Sequence, residues 1–109
     1  MKIPRLYSKN QDVLECTAIF ISLHYGKDAV IRQNELFCLI EDIKFPFLTH
    51  RRVGNNPTYA ADKNYMPIVR HLLHEGILTK YKHPGGWNSR VDYHINEEVL
   101  AEYVSKINV

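Results

Sequence analysis

Residues 66–95 of the chain read MPIVRHLLHEGILTKYKHPGGWNSRVDYHI, and they decide the fold. The first part spaces its apolar residues by three and four, which predicts an amphipathic helix. Gly76 then ends the helix, because only glycine adopts the left-handed conformation of many helix ends without strain. Two short runs of β-branched, aromatic and basic residues follow, separated by turn residues, and they predict a β-hairpin. The sequence thus predicts a helix, a glycine stop and a basic hairpin.

The predicted helix begins near Tyr65, since Asn64 is a good N-cap and Pro67 is tolerated in a first turn. We expect about 10 residues of helix, roughly 15 Å long, which is enough to lie in a major groove. The face opposite the apolar stripe carries Arg70, His71 and His74.

Alternation along the hairpin predicts one buried face and one solvated face. The predicted buried face carries Tyr81, Val91, Tyr93 and Ile95. The predicted solvated face carries Lys80, Lys82, Arg90 and Asp92. Trp87 lies in the connecting loop, and a tryptophan beside three cations favours a surface that contacts phosphate over a hairpin that is merely solvated.

The length and composition fit a single globular domain over residues 1–109, with 45% hydrophobic and 24% charged residues. No apolar run approaches the roughly 18 residues of a membrane span. The N-terminal residues lack the apolar stretch of a signal peptide. Cys16 and Cys38 fall within helical apolar patterns and are interpreted as buried free thiols. These features predict a cytoplasmic protein without a membrane partner.

The net charge of +2 is distributed unevenly along the chain. Residues 1–43 contain five Lys or Arg against six Asp or Glu, and residues 91–109 contain one against four. Residues 44–90 contain eight Lys or Arg against two Asp or Glu. A polyanion is the simplest partner for such a segment, because each neutralised phosphate releases condensed counterions. The alternative is a basic face that only meets solvent.

Other signals predict a helix on each side of this segment. A helix is expected from Ser8 to Gly26, and another is expected to end before Pro46. Asn96 is the expected N-cap of a last helix. Residues 29–31 form a short apolar run that predicts a small strand.

This order of elements resembles the winged helix-turn-helix superfamily over roughly residues 8–105. The most specific part is LLHEGILTKYKH at residues 72–83, which is similar to the junction between recognition helix and wing. The resemblance implies an α+β fold that is mainly α, with a three-helix core, a two-stranded basic wing and a C-terminal helix.

One departure from that pattern is a connection of about twenty residues, 44–64, where a short turn is usual. Either the third helix begins earlier, near Pro57 and Thr58, with a kink at Pro67, or a loop has been inserted. Arg51 and Arg52 in this segment are candidates for phosphate contacts, and the alternative is a disordered insertion with two solvated arginines.

The sequence contains no glycine-rich phosphate loop, zinc CxxC pair, HExxH or nucleophile elbow, so we expect no enzyme. The best metal-ligand constellation is His71 with His74, joined by His83, and it lacks a clear acidic ligand. We interpret these histidines as solvated or phosphate-facing, and we expect neither a metal nor a cofactor.

The leading hypothesis is a small sequence-specific DNA-binding protein, a transcriptional regulator of double-stranded DNA. Candidate contacts to bases and phosphates come from the recognition helix, the wing and the preceding loop: Arg51, Arg52, Asn64, Arg70, His71, His74, Lys80, Lys82, Trp87 and Arg90. The main alternative is a winged-helix module that binds another protein, an adaptor or an inhibitor of viral or mobile-element origin. RNA binding is a third, weaker hypothesis.

The last helix carries an apolar stripe that is wide enough to serve a second copy of the chain as well as its own core. We therefore predict a homodimer whose contacts are Val99, Leu100, Tyr103, Val104 and Ile107. The alternative is that this helix closes the core of one chain against Val13, Thr17 and Phe20.

Overall fold

The computed structural model describes residues 8–26, 29–46, 57, 61–85 and 90–107. This part of the chain is α+β and mainly helical, with five helices and one three-stranded antiparallel sheet. In chain order the elements are α1 (Ser8–His24), β1 (Val30–Arg32), α2 (Gln33–Lys44), α3 (Ala61–Asn64), α4 (Met66–His74), β2 (Leu78–Lys82), β3 (Val91–Ile95) and α5 (Glu97–Ile107).

The C-terminal end of α4 confirms the glycine stop. Gly76 has a φ of 78°, in the left-handed region. The Ile77 amide donates to the Leu72 carbonyl at 3.0 Å, and the Gly76 amide donates to the Leu73 carbonyl at 3.1 Å. These two bonds form a Schellman motif, which directs the chain from α4 into β2.

The N-terminal end of α5 confirms the predicted cap. The Asn96 side-chain oxygen accepts a hydrogen bond from the Val99 amide at 3.4 Å. Glu97 and Glu98 occupy the first turn, where the helix dipole favours acids.

The start of α4 agrees with the prediction, and a short helix precedes it. Helix α4 begins at Met66, which confirms the predicted start near Tyr65, but the short helix α3 (Ala61–Asn64) directly precedes it, as in the alternative of an earlier start with a kink at Pro67. The Tyr65 amide donates to the Ala61 carbonyl at 2.9 Å, and the Val69 amide donates to the Tyr65 carbonyl at 3.1 Å. Helical bonds therefore pass through Tyr65. The break lies there because Pro67 has no amide hydrogen with which to continue the ladder.

Asn64 is the last residue of α3 and does not cap α4. The N-cap position of α4 is Tyr65, which makes no side-chain capping hydrogen bond. Tyr65 is fully buried, and its ring stacks on Phe37 of α2 with 5.7 Å between centroids. The buried ring anchors the joint between α3 and α4, which is a packing role that the capping prediction did not include.

The sheet has the strand order β1-β3-β2, with both neighbouring pairs antiparallel. Ile31 of β1 pairs with Tyr93, and Leu78 of β2 pairs with Ile95. The central strand therefore comes from the second half of the predicted hairpin, and β1 closes its free edge. The order of helices and strands is compatible with a winged-helix-like layout.

One core lies between the helices and one face of the sheet, here called the helix-side face. It is built from aliphatic side chains of α1, α2 and α4 together with inward residues of the strands. Fully buried members include Ala18, Ile21, Ile31, Leu36, Ile40, Ile68, Leu72, Ile77 and Tyr93. Helix α5 packs along α1 and adds Leu100 to this core.

Both cysteines are free thiols, as predicted, but neither is buried. Cys16 is exposed and Cys38 is intermediate in exposure. The buried side of α1 is formed by Leu14, Ala18 and Ile21, and Cys16 lies off that stripe. In the described part of the chain, none of the helices has both the length and the apolar character to cross a membrane.

Candidate nucleic-acid interface

Helix α4 presents its polar face to solvent as predicted. Ile68, Val69 and Leu72 are fully buried, whereas Arg70 and His74 are exposed. His71 is intermediate in exposure, so it belongs to the border of the polar face and not to its centre. The guanidinium of Arg70 is the group on this face that can form paired hydrogen bonds with guanine.

Asn64 is less accessible than predicted for a residue that contacts DNA. Its side chain is partly buried, and its backbone carbonyl accepts a hydrogen bond from Lys44 Nζ at 3.4 Å. This bond ties the end of α3 to the end of α2 and therefore fixes the approach of the chain to α4.

Lys80 and Lys82 are both exposed, but they lie on a different face of the sheet from the one predicted. Lys80 pairs with Tyr93 and Lys82 pairs with Val91. Directly opposed residues of an antiparallel pair share a face, so both lysines belong to the helix-side face. They remain in solvent because the core covers Leu78 and leaves the rest of β2 uncovered.

Tyr81 corrects the predicted phase of β2. It was expected on the buried face, but it pairs with Asp92 and is 49% exposed. Leu78 is the residue of β2 that the core requires, and counting by two from Leu78 places Tyr81 on the opposite face, here called the outer face. The prediction failed because it aligned Tyr81 with the apolar residues of β3 and not with Leu78.

Asp92 is the second correction, since it was expected in solvent and is buried. His83 Nε2 lies 2.6 Å from Asp92 Oδ2, and Arg90 Nη2 lies 3.4 Å from the same oxygen. Burial alone would raise the pKa of Asp92, but the hydrogen bond from His83 and the charges of Arg90, His83 and Arg32 together lower it. The carboxylate is therefore charged at neutral pH beneath a cover of cationic side chains.

A group of polar and aromatic residues surrounds Asp92 on the outer face. We call it the outer-face cluster, and it comprises Arg32, Tyr81, His83, Arg90, Asp92 and His94. The Tyr81 ring stands edge-on to the His83 ring, with 4.7 Å between centroids, and edge-on to the His94 ring, with 6.0 Å between centroids. The two-residue spacings Tyr81-His83 and Asp92-His94 were the sequence signal for this cluster.

Arg90 was predicted as a phosphate contact and serves first as an ion-pair partner of Asp92. Its side chain is still 50% exposed, so part of the guanidinium faces solvent. The backbone of Arg90 also closes the hairpin, because its carbonyl accepts the His83 amide at 2.7 Å. These contacts fix Arg90 at the loop end of the β2-β3 hairpin.

A groove of about 880 Å³ adjoins the outer-face cluster, and Arg32 and Arg90 line it. On another wall the Tyr25 hydroxyl donates to the Glu35 carboxylate. Burial, then the hydrogen bond and the negative charge of Glu35, raise the pKa of Tyr25 to about 12. Aromatic, cationic, acidic and apolar side chains line the groove, and no single ligand chemistry dominates it.

Three of the predicted DNA-contact residues, Arg51, Arg52 and Trp87, lie outside the described residues. Within the described ranges, no group of three or more His, Cys, Asp or Glu residues is arranged to hold a metal ion. The structure therefore does not bring His71, His74 and His83 together as a ligand set.

The five residues predicted to form a dimer contact are used at least partly within one chain. Leu100 is 3% exposed and belongs to the core, so it is not available to a second copy. The other four, Val99, Tyr103, Val104 and Ile107, are intermediate in exposure. On the α1 side, Val13 and Thr17 are buried and Phe20 is 37% exposed. The alternative, in which α5 closes the core of its own chain against α1, accounts for Leu100.

Comparison of the chain with protein-family models, with curated proteins and with solved structures returns no match.

Proposed function

We propose that this chain is a winged-helix protein that binds double-stranded DNA in a sequence-specific manner, as a small transcriptional regulator, with α4 as the recognition helix and the β2-β3 hairpin as the wing. The observation that carries the proposal is the exposure of cations on α4 and on β2, the strand that directly follows it. Arg70 is exposed on α4, and Lys80 and Lys82 are exposed on the helix-side face of the sheet.

The corrected phase of β2 supports this arrangement. Leu72 of α4 and Leu78 of β2 belong to the same core, and α4 contacts β2, the strand whose Leu78 is on the helix-side face of the sheet. Lys80 and Lys82 extend from that same face beyond the core. A duplex lying along α4 would then meet both lysines, whereas the predicted phase would have turned them away from α4.

The side chains have complementary roles in this proposal. Arginine forms paired hydrogen bonds with guanine, and lysine supplies charge to phosphates without reading sequence. Helix α4 has nine residues and is amphipathic, so it can enter a major groove with Arg70 and His74 outward.

The first test is the salt dependence of binding to a random duplex. The affinity should fall steeply, with a log–log slope of about −4 to −5 if roughly five phosphates are neutralised. Fluorescence anisotropy of a labelled duplex measures it. A flat salt response, or no binding at low salt, would contradict the proposal.

The second test compares two lysines with the same change of charge. Lys80→Glu should remove most of the duplex affinity, because the substitution replaces a cation with an anion beside α4. Lys106→Glu is the matched control, since Lys106 is 73% exposed on α5 and forms an i,i+4 pair with Glu102. Equal losses in both variants would show that net charge, and not a site, governs binding.

A second candidate function, a protein-interaction module, is favoured by the apolar end of α1. Leu23 is 74% exposed and Phe20 is 37% exposed on this helix. Exposed apolar side chains of this size commonly belong to protein contacts. Leu23→Ser should leave duplex affinity unchanged, and a drop in duplex affinity would place α1 in the DNA site instead.

A further inference from the structure

The outer face of the sheet carries an aromatic and cationic surface that the duplex site does not use. No described helix packs on Tyr81, His94 or Arg32 strongly enough to bury them, and all three are exposed. Val30 of β1 extends the same face and is 41% exposed. An exposed tyrosine in contact with two histidine rings provides flat π surfaces in solvent.

The charge of this surface is positive. Arg32 and Arg90 carry two positive charges, and Asp92 carries one negative charge that is buried beneath them. Because the carboxylate is covered and the guanidinium of Arg90 is half exposed, an approaching ligand meets the cations first.

Aromatic rings interleaved with arginines are the chemistry that binds single-stranded nucleic acid. Bases stack on exposed rings, and guanidinium groups contact the phosphates between them. A duplex offers its phosphates but keeps its base faces stacked, so it would leave the rings of this surface unused. Lys80 and Lys82 extend from the opposite face of the same strand, so both surfaces can be occupied together.

We propose that the outer-face cluster is a binding surface for single-stranded DNA, in which bases stack on Tyr81 and His94 and phosphates contact Arg32 and Arg90. The surface is distinct from the duplex site on α4, and only the choice of DNA over RNA rests on the proposed function. An unpaired strand next to a bound duplex would supply the ligand.

The test uses a fluorescein-labelled oligothymidylate of about 12 nucleotides, a length within the usual site size of such surfaces. The full chain should bind it saturably. Tyr81→Leu should weaken binding at least about fivefold, because it removes a stacking ring but keeps an apolar side chain over Asp92. Tyr81→Phe is the matched control, and it should bind like the wild type because the ring remains.

Four further measurements make the assignment decisive. Circular dichroism should show that Tyr81→Leu is folded, and His94→Ala, at an exposed position, gives a second variant that should also weaken binding. Both variants should retain wild-type affinity for duplex. Lys80→Glu should lose affinity for duplex and keep its affinity for oligothymidylate. An unlabelled duplex should not displace the oligothymidylate.

Several results would overturn the proposal. They are the absence of saturable binding, equal affinities of Tyr81→Leu and Tyr81→Phe, and displacement of the strand by duplex. Tighter binding of oligouridylate than of oligothymidylate would overturn the assignment to DNA. If the full chain binds oligothymidylate but does not bind duplex, the result contradicts the proposed function and leaves the single-strand proposal intact. Failure of one proposal can therefore be told from failure of the other.

Discussion

Gly76 fixes the direction in which the chain leaves α4, and its substitution should cost stability. Gly76→Ala should lower the free energy of unfolding by about 1–2 kcal/mol, because an L-residue is strained at positive φ. A β-carbon there would meet Val99 Cγ1 at 3.8 Å, an ordinary contact, so the loss is conformational. Gly26→Ala is the matched control, since a β-carbon there meets nothing within 4 Å. Urea denaturation measures the free energy of unfolding, and equal losses in Gly76→Ala and Gly26→Ala would contradict this prediction.

Asp92 should make stability depend on pH in the acid range. Its pKa is lowered in the folded state, so it stabilises the fold above its unfolded pKa and loses this contribution as pH falls through its folded pKa. The unfolding free energy should therefore decline below a pH of about 4, and Asp92→Asn should reduce the decline. Urea unfolding at several pH values measures it, and an unchanged slope in the variant would contradict the argument.

At the residue scale, the sequence was informative where one residue type has one physical use. Gly76 and Asn96 could be assigned because a glycine stop and an asparagine cap act locally. Tyr81 and Asp92 could not, because tyrosine suits either face of a sheet and an aspartate is buried only when distant partners neutralise it. The partners of Asp92 come from β1 and from both sides of the hairpin, and local alternation does not contain that information.

At the scale of elements, α4 and the wing should differ in what their substitutions do to specificity. Arg70→Ala should cost about 1–3 kcal/mol on a preferred site and less on random duplex, because the proposed function has Arg70 read a base edge. Lys82→Ala should reduce both affinities by the same factor, since lysine contacts phosphate. Titrations of each variant with a selected duplex and with a random duplex measure these affinities. If Arg70→Ala loses the same affinity for both duplexes, Arg70 contacts the DNA backbone and does not read a base.

The bounds of most elements could be predicted, but the sequence left open whether a helical segment precedes Tyr65. Pro67 is compatible with the first turn of a helix and with a break inside a longer helical segment. The burial of Tyr65 against Phe37 favours the break inside a longer helical segment, and that contact joins the start of α4 to α2. A pattern within one element cannot reveal a contact between two.

At the scale of the whole molecule, the predicted homodimer can be tested directly. One recognition helix with one wing contacts little DNA, so we expect two copies to bind a palindromic site. Sedimentation at micromolar concentration should show a species of twice the chain mass of 12.8 kDa. A single species at the chain mass would contradict the dimer. Ile107→Lys, at a partly exposed position of α5, should yield monomers with an unchanged helical signal.

The short strand β1 has a consequence for how the chain folds during synthesis. Its Ile31 is fully buried only when it pairs with Tyr93, and α1 packs on α5, so both contacts join early residues to late ones. Such distant contacts form slowly, because the chain loses the conformational entropy of a long loop before the new contacts stabilise it. When only residues 8–44 have emerged from the ribosome, the chain therefore holds an apolar, unpaired segment until α5 is synthesised, and we expect its tendency to aggregate to be greatest in this interval.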